Sequence, residues 1–148
     1  ADIDGLVQTS LNLGILTTED EAAFVRFSVR SSMDSQKKML SSKLRCLTEK
    51  LGGTVSVSGD YPGWAYRKNS PLRDLMAQVY KEQYGKEPLI EAVHAGLECG
   101  LFIGKRPGLD CISFGPNIAE IHTFRERLFI SSTQRTWELL KETLRRMK

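Results

Sequence analysis

Leu11, Leu13 and Ile15 alternate with Asn12 and Gly14, and Ala23, Val25, Phe27 and Val29 alternate with Phe24, Arg26, Ser28 and Arg30. A period of two marks a half-buried strand, so two strands are predicted here. The polar link Leu16-Thr-Thr-Glu-Asp-Glu21 makes them an antiparallel hairpin, apolar on one face and carrying Arg26, Ser28 and Arg30 on the other. A two-stranded ribbon is marginal by itself. Support is expected from the next segment, where Asp34 caps a helix, Leu40, Leu44, Leu47 and Leu51 form its apolar stripe, and Gly52-Gly53 ends it. Thr54-Val-Ser-Val-Ser58 alternates again as a third strand. The order β-β-α-β is most of a ferredoxin-like split unit without its opening β-α.

Gly59-Asp-Tyr-Pro-Gly-Trp64 is rich in turn residues and marks a boundary, giving domains at 1–65 and 66–148. Beyond it the period lengthens. Ser70 followed by Pro71 reads as an N-cap with proline at the first helical position, and Leu72, Leu75, Met76, Val79 and Gln83 recur at helical spacing until Gly85. Leu89–Val93 and Leu109–Phe114 read as strands, and His94–Phe102 as a short helix between them. Ser131 and Gln134 have capping-box spacing ahead of a last helix whose Trp137, Leu140, Leu144 and Met147 are expected to face a core. The order α-β-α-β-α is that of a mainly parallel sheet covered by helices, so the fold class is α/β.

Composition narrows the partners. Over 148 residues the chain is 41% hydrophobic and 26% charged, as ordinary globular proteins are, with a net charge of only +3 and its basic residues scattered. Nucleic acid is therefore not expected as a partner. No run of apolar residues is long enough for a membrane span, and the N-terminus has no basic-plus-apolar leader. Cys46, Cys99 and Cys111 are odd in number and lack C-x-x-C spacing, which favours neither a disulfide framework nor a zinc ribbon and suits a reducing, cytoplasmic setting. The chain opens Ala1-Asp-Ile-Asp without methionine, as a processed or cut piece would.

The candidate chemistry gathers after the two predicted strands of the second half. The first delivers His94-Ala-Gly-Leu-Glu-Cys-Gly100, the second Ser113-Phe-Gly-Pro116 and then His122 in a polar loop. In open α/β sheets ligands bind beyond the carboxyl ends of strands. Gly96, Gly100 and Gly115 would let backbone approach a ligand, and Glu98 and His122 could be polar elements of one pocket. Each has a plainer reading: a loop histidine is commonly a surface or capping residue, a catalytic zinc wants about three protein ligands, and Arg30 would serve as a charge guarding a sheet edge.

His94-Ala-Gly-Leu-Glu-Cys-Gly100, Ser113-Phe-Gly-Pro116, Ile121-His-Thr-Phe-Arg-Glu126 and Thr133-Gln-Arg-Thr-Trp-Glu-Leu-Leu140, with Phe27-Ser-Val-Arg-Ser-Ser32 and Tyr61-Pro-Gly-Trp64, resemble segments in the carboxyl-terminal third of the Xaa-His dipeptidases. These aminoacyl-histidine, carnosinase-like enzymes sit in the zinc exopeptidase superfamily with carboxypeptidase G and acetylornithine deacetylase. The resemblance implies that His122, in a histidine-Ser/Thr-Pro-x-Glu motif matched by Thr123 and Glu126, supplies the last ligand of a two-zinc centre. Phe124 stands where that motif has proline. It implies that Arg30, in a smaller lid domain, holds the substrate's terminal carboxylate through its guanidinium fork. Gly96, Glu98, Ser113 and Gly115 fall in what resemble substrate-facing loops.

The reaction so implied is hydrolysis of Xaa-His-type dipeptides by metal-activated water. Its general base and remaining ligands would lie in an amino-terminal part, leaving no catalytic residue in this chain. The expectation is thus a carboxyl-terminal fragment: a partial lid and dimerisation domain at 1–65, then the end of the catalytic domain at 66–148. Such a fragment would be inactive by itself, hold zinc weakly or not at all, and form a homodimer through its lid. The competing expectation is a non-catalytic module that binds an amino acid or peptide, or serves assembly.

Overall fold

A computed structural model of the chain describes residues 6–92 and 97–147. In order, its elements are β1 (Thr9–Thr18), β2 (Ala23–Ser31), α1 (Asp34–Lys50), α2 (Pro71–Tyr84), α3 (Glu98–Lys105), β3 (Ile118–Ala119), β4 (Arg127–Leu128) and α4 (Ile130–Arg146). Helix and strand are mixed, in keeping with the α/β class. The chain forms two compact units, Ala1–Tyr66 with Glu91–Leu109, and Arg67–Ile90 with Asp110–Lys148.

In the first unit β1 and β2 pair antiparallel as the alternation predicts, with one departure. The register shifts between Leu13 and Ile15, leaving Gly14 as the extra residue. A bulge reverses the facing of every residue beyond it, and glycine accommodates one most easily. Leu11, Leu13 and Leu16 therefore lie across from Val29, Phe27 and Val25, while Ile15 lies across from Arg26. The alternation alone would have kept Ile15 on the apolar face.

Helix α1 packs on this ribbon with Leu40 and Leu44 half-buried, whereas Leu47 and Leu51 at the end of the stripe are exposed. Asp34 is the first helical residue rather than the cap, which is Met33 without a side-chain bond. Its carboxylate instead accepts the backbone N–H of Gly63 at 2.9 Å. Lys37, one turn on, pairs with Asp60 at 2.7 Å and donates to the Tyr61 carbonyl. Together they pin the Asp60–Gly63 turn to the start of α1. The pinning is close: a Cβ on Gly63 would lie 2.7 Å from the Ser32 carbonyl oxygen.

In the second unit α2 begins as predicted. Ser70 is its N-cap and accepts the Arg73 N–H at 3.1 Å, Pro71 opens the first turn, and Gly85 ends the helix with φ 67°. Met76 and Val79 of α2 bury against Leu139 of α4, flanked by Leu75, Tyr80, Tyr84 and Ile112. The buried face of α4 is Ser132, Leu139 and Thr143. Trp137, Leu144 and Met147, expected to face a core, lie on the exposed side, with Trp137 56% accessible. Both stripes have helical spacing, and the buried one accommodates Thr143 because its hydroxyl is satisfied on the Leu139 carbonyl at 2.8 Å.

The segments 54–58, 89–92 and 109–114 carry strand patterns but take part in no ladder among the described residues. Pattern makes a segment fit for a sheet, and a neighbouring strand makes it one. Both described ladders are antiparallel, β1–β2 and the small β3–β4.

Candidate functional site

His122 sits in the hairpin loop between β3 and β4, a ladder of two pairs, Ile118 with Leu128 and Ala119 with Arg127. The hairpin is tied to the start of α4. Asn117 donates its N–H to the Ser132 hydroxyl at 2.9 Å, and that hydroxyl donates to the Phe129 carbonyl at 2.7 Å. The Phe129 N–H returns to the Asn117 carbonyl at 3.1 Å. Ser132 is buried, which fixes both strands to the helix through one side chain. The capping box expected from Ser131 and Gln134 does not form: the N-cap is Phe129, without a side-chain bond, and Ser131 lies inside the first turn.

The loop itself is closed by its own side chains. Arg127 and Glu120 pair at 2.6 Å across its base. The Thr123 hydroxyl donates to the Glu120 carbonyl at 2.7 Å and accepts the Arg125 N–H at 3.1 Å. Glu126 accepts the backbone N–H of His122 at 2.9 Å. Glu120 and His122 take left-handed backbone, φ 53° and 65°. The His122 side chain is exposed, and its imidazole has no hydrogen bond or ion pair among the described residues. Phe124 stands 94% exposed with the Arg125 guanidinium 5.2 Å from its ring centre.

The other predicted site residues are divided between the units. Ser113 and Gly115 belong to the same unit as His122 and are exposed, and a Cβ on Gly115 would meet nothing within 4 Å. Arg30 and Glu98 belong to the first unit. Arg30 is exposed on β2 opposite Ser10, its guanidinium unengaged among the described residues, and Glu98 is the exposed first residue of α3. Gly96 and its neighbour His94 lie outside the described residues.

Among the described residues no three His, Cys, Asp or Glu side chains come together in a group able to hold a metal ion. One exposed, unengaged imidazole fits the role of a single donor, and a catalytic zinc takes about three from protein. Two features of the site escaped the sequence pattern. Glu126 acts on the backbone of His122, for which the four-residue spacing was the available signal. Asp110 is a strand residue by pattern but braces a helix, accepting the Ser70 hydroxyl at 2.7 Å and the Leu72 N–H at 3.0 Å.

No family model matches the chain. It is 39% identical over 141 residues to the cytosol non-specific dipeptidase of Escherichia coli (strain K12), across 95% of this chain and 29% of that protein. Among solved structures it superposes on the aminoacylhistidine dipeptidase of Vibrio alginolyticus with a TM-score of 0.81 and 37% identity, across 94% of this chain and 28% of that one. The chain thus spans under a third of the length of each relative. In both sequence and backbone, along nearly all of its own length, it is similar to one segment of these dipeptidases.

Proposed function

We propose that the chain is the carboxyl-terminal part of a zinc-dependent dipeptidase acting in the cytoplasm on Xaa-His-type dipeptides. The observation that carries this reading is the agreement of sequence and backbone over nearly the whole chain with enzymes named for dipeptide hydrolysis. Residues 1–65 are then part of a lid that also dimerises, and 66–148 the end of the catalytic domain. The unladdered segments at 89–92 and 109–114 support it, since strand-patterned segments of this kind take their neighbours from a larger sheet.

In this reading each of these residues has a task. His122 donates its imidazole to one metal of a two-zinc centre. The zinc pair, when bound, supplies Lewis acidity and activates water for attack on the dipeptide carbonyl. Arg30 pairs its free guanidinium with the substrate's terminal carboxylate. Ser113 and Gly115 face the substrate with hydroxyl and bare backbone, and Gly96 and Glu98 belong to a second substrate-facing loop. The general base lies outside these residues, so the chain binds and orients without catalysing.

The test is activity and metal content side by side. The purified chain, with zinc added, is expected to leave carnosine-type dipeptides intact, and after dialysis to retain well under one zinc per chain. Turnover near that of a complete dipeptidase would overturn the reading, as would stoichiometric zinc that His122→Ala abolishes.

A further inference from the structure

Left-handed backbone at a residue with a Cβ is unfavourable, and it persists where the surroundings enforce it. Glycine and asparagine are the usual residues at positive φ, with histidine also enriched there, so a bond that holds the turn matters more at residue 122 than it would at glycine. At 122 a histidine stands there with φ 65°, and its ring engages nothing among the described residues. The conformation is therefore not held by the imidazole. The loop bonds on either side hold its neighbours: Thr123 reaches back to the Glu120 carbonyl, and Arg127 clamps the Glu120 carboxylate. The bond to residue 122 itself is the 2.9 Å contact from its N–H to Glu126 Oε2.

We infer that Glu126 is a positioning residue for His122: its carboxylate holds the left-handed turn from which the imidazole is presented, ring free, to a divalent cation. The inference rests on the reading of His122 as a metal ligand and adds the device that aims it. A carboxylate suits the task because it accepts a backbone N–H strongly. Partners of this kind, which orient a ligand without touching the metal, typically carry roughly 10- to 100-fold in metal affinity.

The test uses the isotope-labelled 148-residue chain. Two readings are taken by NMR: the strong contact between Hα and HN of residue 122 that positive φ produces, and the response of the His122 imidazole to added zinc, assigned with His122→Ala. Glu126→Ala is expected to abolish the first and to weaken zinc at His122 roughly 10- to 100-fold. Glu126→Gln, whose amide oxygen still accepts the N–H, retains both, and unchanged far-UV circular dichroism shows that each variant is folded. If Glu126→Ala keeps the positive φ, or loses it and binds zinc as before, the inference is overturned while the ligand reading stands. If zinc at a concentration that shifts free imidazole fails to move the His122 ring in the unsubstituted chain, the ligand reading falls and the inference falls with it.

Discussion

A Cβ on Gly100 would lie 2.7 Å from the carbonyl oxygen of Pro62. Gly104, one turn along α3, has the same relationship to the Pro62 ring, with 2.6 Å to Cγ. Helix α3 therefore rests on the turn at Pro62-Gly63 through two bare positions, and Gly63 rests on the carbonyls of Ser31 and Ser32. This packs three consecutive layers, the end of β2, the turn and α3, at distances that no side chain allows.

Gly100→Ala forces backbone apart, because the obstructing atom is a carbonyl oxygen and not the flexible end of a side chain. Overpacking of this kind costs about 1–3 kcal/mol. A lowered urea midpoint with unchanged slope is the expected result. Gly115→Ala is the control, since its Cβ enters open space and its stability should stay within roughly 0.5 kcal/mol of the original. Equal midpoints for the two variants would show that α3 is not seated as described.

Asp110 braces the first turn of α2. Burial opposes its ionisation, but the Leu72 N–H and Ser70 hydroxyl, with Arg67 and Arg73 nearby, outweigh it and hold the carboxyl below its ordinary value. A depressed carboxylate adds stability that is fully present above its unfolded pKa, about 3.9, and is lost as pH falls through the lower folded value. Asp110→Ala should cost about 1–2 kcal/mol at neutral pH. That difference should shrink below roughly pH 4 in urea titrations run at several pH values. A deficit that is constant down to pH 3 would assign Asp110 to packing and not to charge.

Val79 is fully buried and Trp137 is 56% exposed, although the spacing of both reads as core. Val79→Ala should destabilise the α2–α4 pair by about 2 kcal/mol, the transfer of two methyl groups plus the space they leave. Trp137→Ser should change it by less than roughly 0.5 kcal/mol. Thermal unfolding followed at the helix band would rank them. A larger loss at Trp137 would mean that the other face of α4 is the packed one.

What the sequence disclosed follows from the range of each interaction. The hairpin, α1 and α2 were legible because period, Ser70-Pro71 and the closing glycines act within a few residues. The bulge at Gly14 was not, since alternation reports facing only while register holds. On α4 two stripes were available, and the choice between them was made by Met76 and Val79, distant in sequence. The strands expected at 54–58, 89–93 and 109–114 form no ladder among the described residues, because a ladder needs a partner that spacing does not name. At the candidate site, His122 was singled out by its place in a polar loop ahead of the last helix, and it lies in the β3–β4 loop before α4. The work of Glu126 was hidden because its partner is a backbone N–H, and backbone dihedrals leave little trace in residue type.

The β1–β2 ribbon leads to the last expectation. Its apolar face carries Leu11, Leu13 and Leu16 across from Val29, Phe27 and Val25, and all but Val29 are more than a third exposed. Across the other face Ile15 and Phe24 are exposed as well. Beyond the part that α1 covers, the ribbon exposes apolar side chains on both faces and meets no third strand among the described residues, the combination that promotes strand addition or face-to-face association. The chain should therefore sediment as a concentration-dependent mixture whose weight-average mass rises over the micromolar range. Replacing Leu13 by lysine places charge in the centre of the apolar face and should shift that mixture towards monomer while leaving the helical signal intact. If the chain stays monomeric across a hundredfold range of concentration, the ribbon is covered in solution. If Leu13→Lys associates as before, the contact lies elsewhere, and the exposed Trp137–Leu144 face of α4 becomes the surface to substitute next.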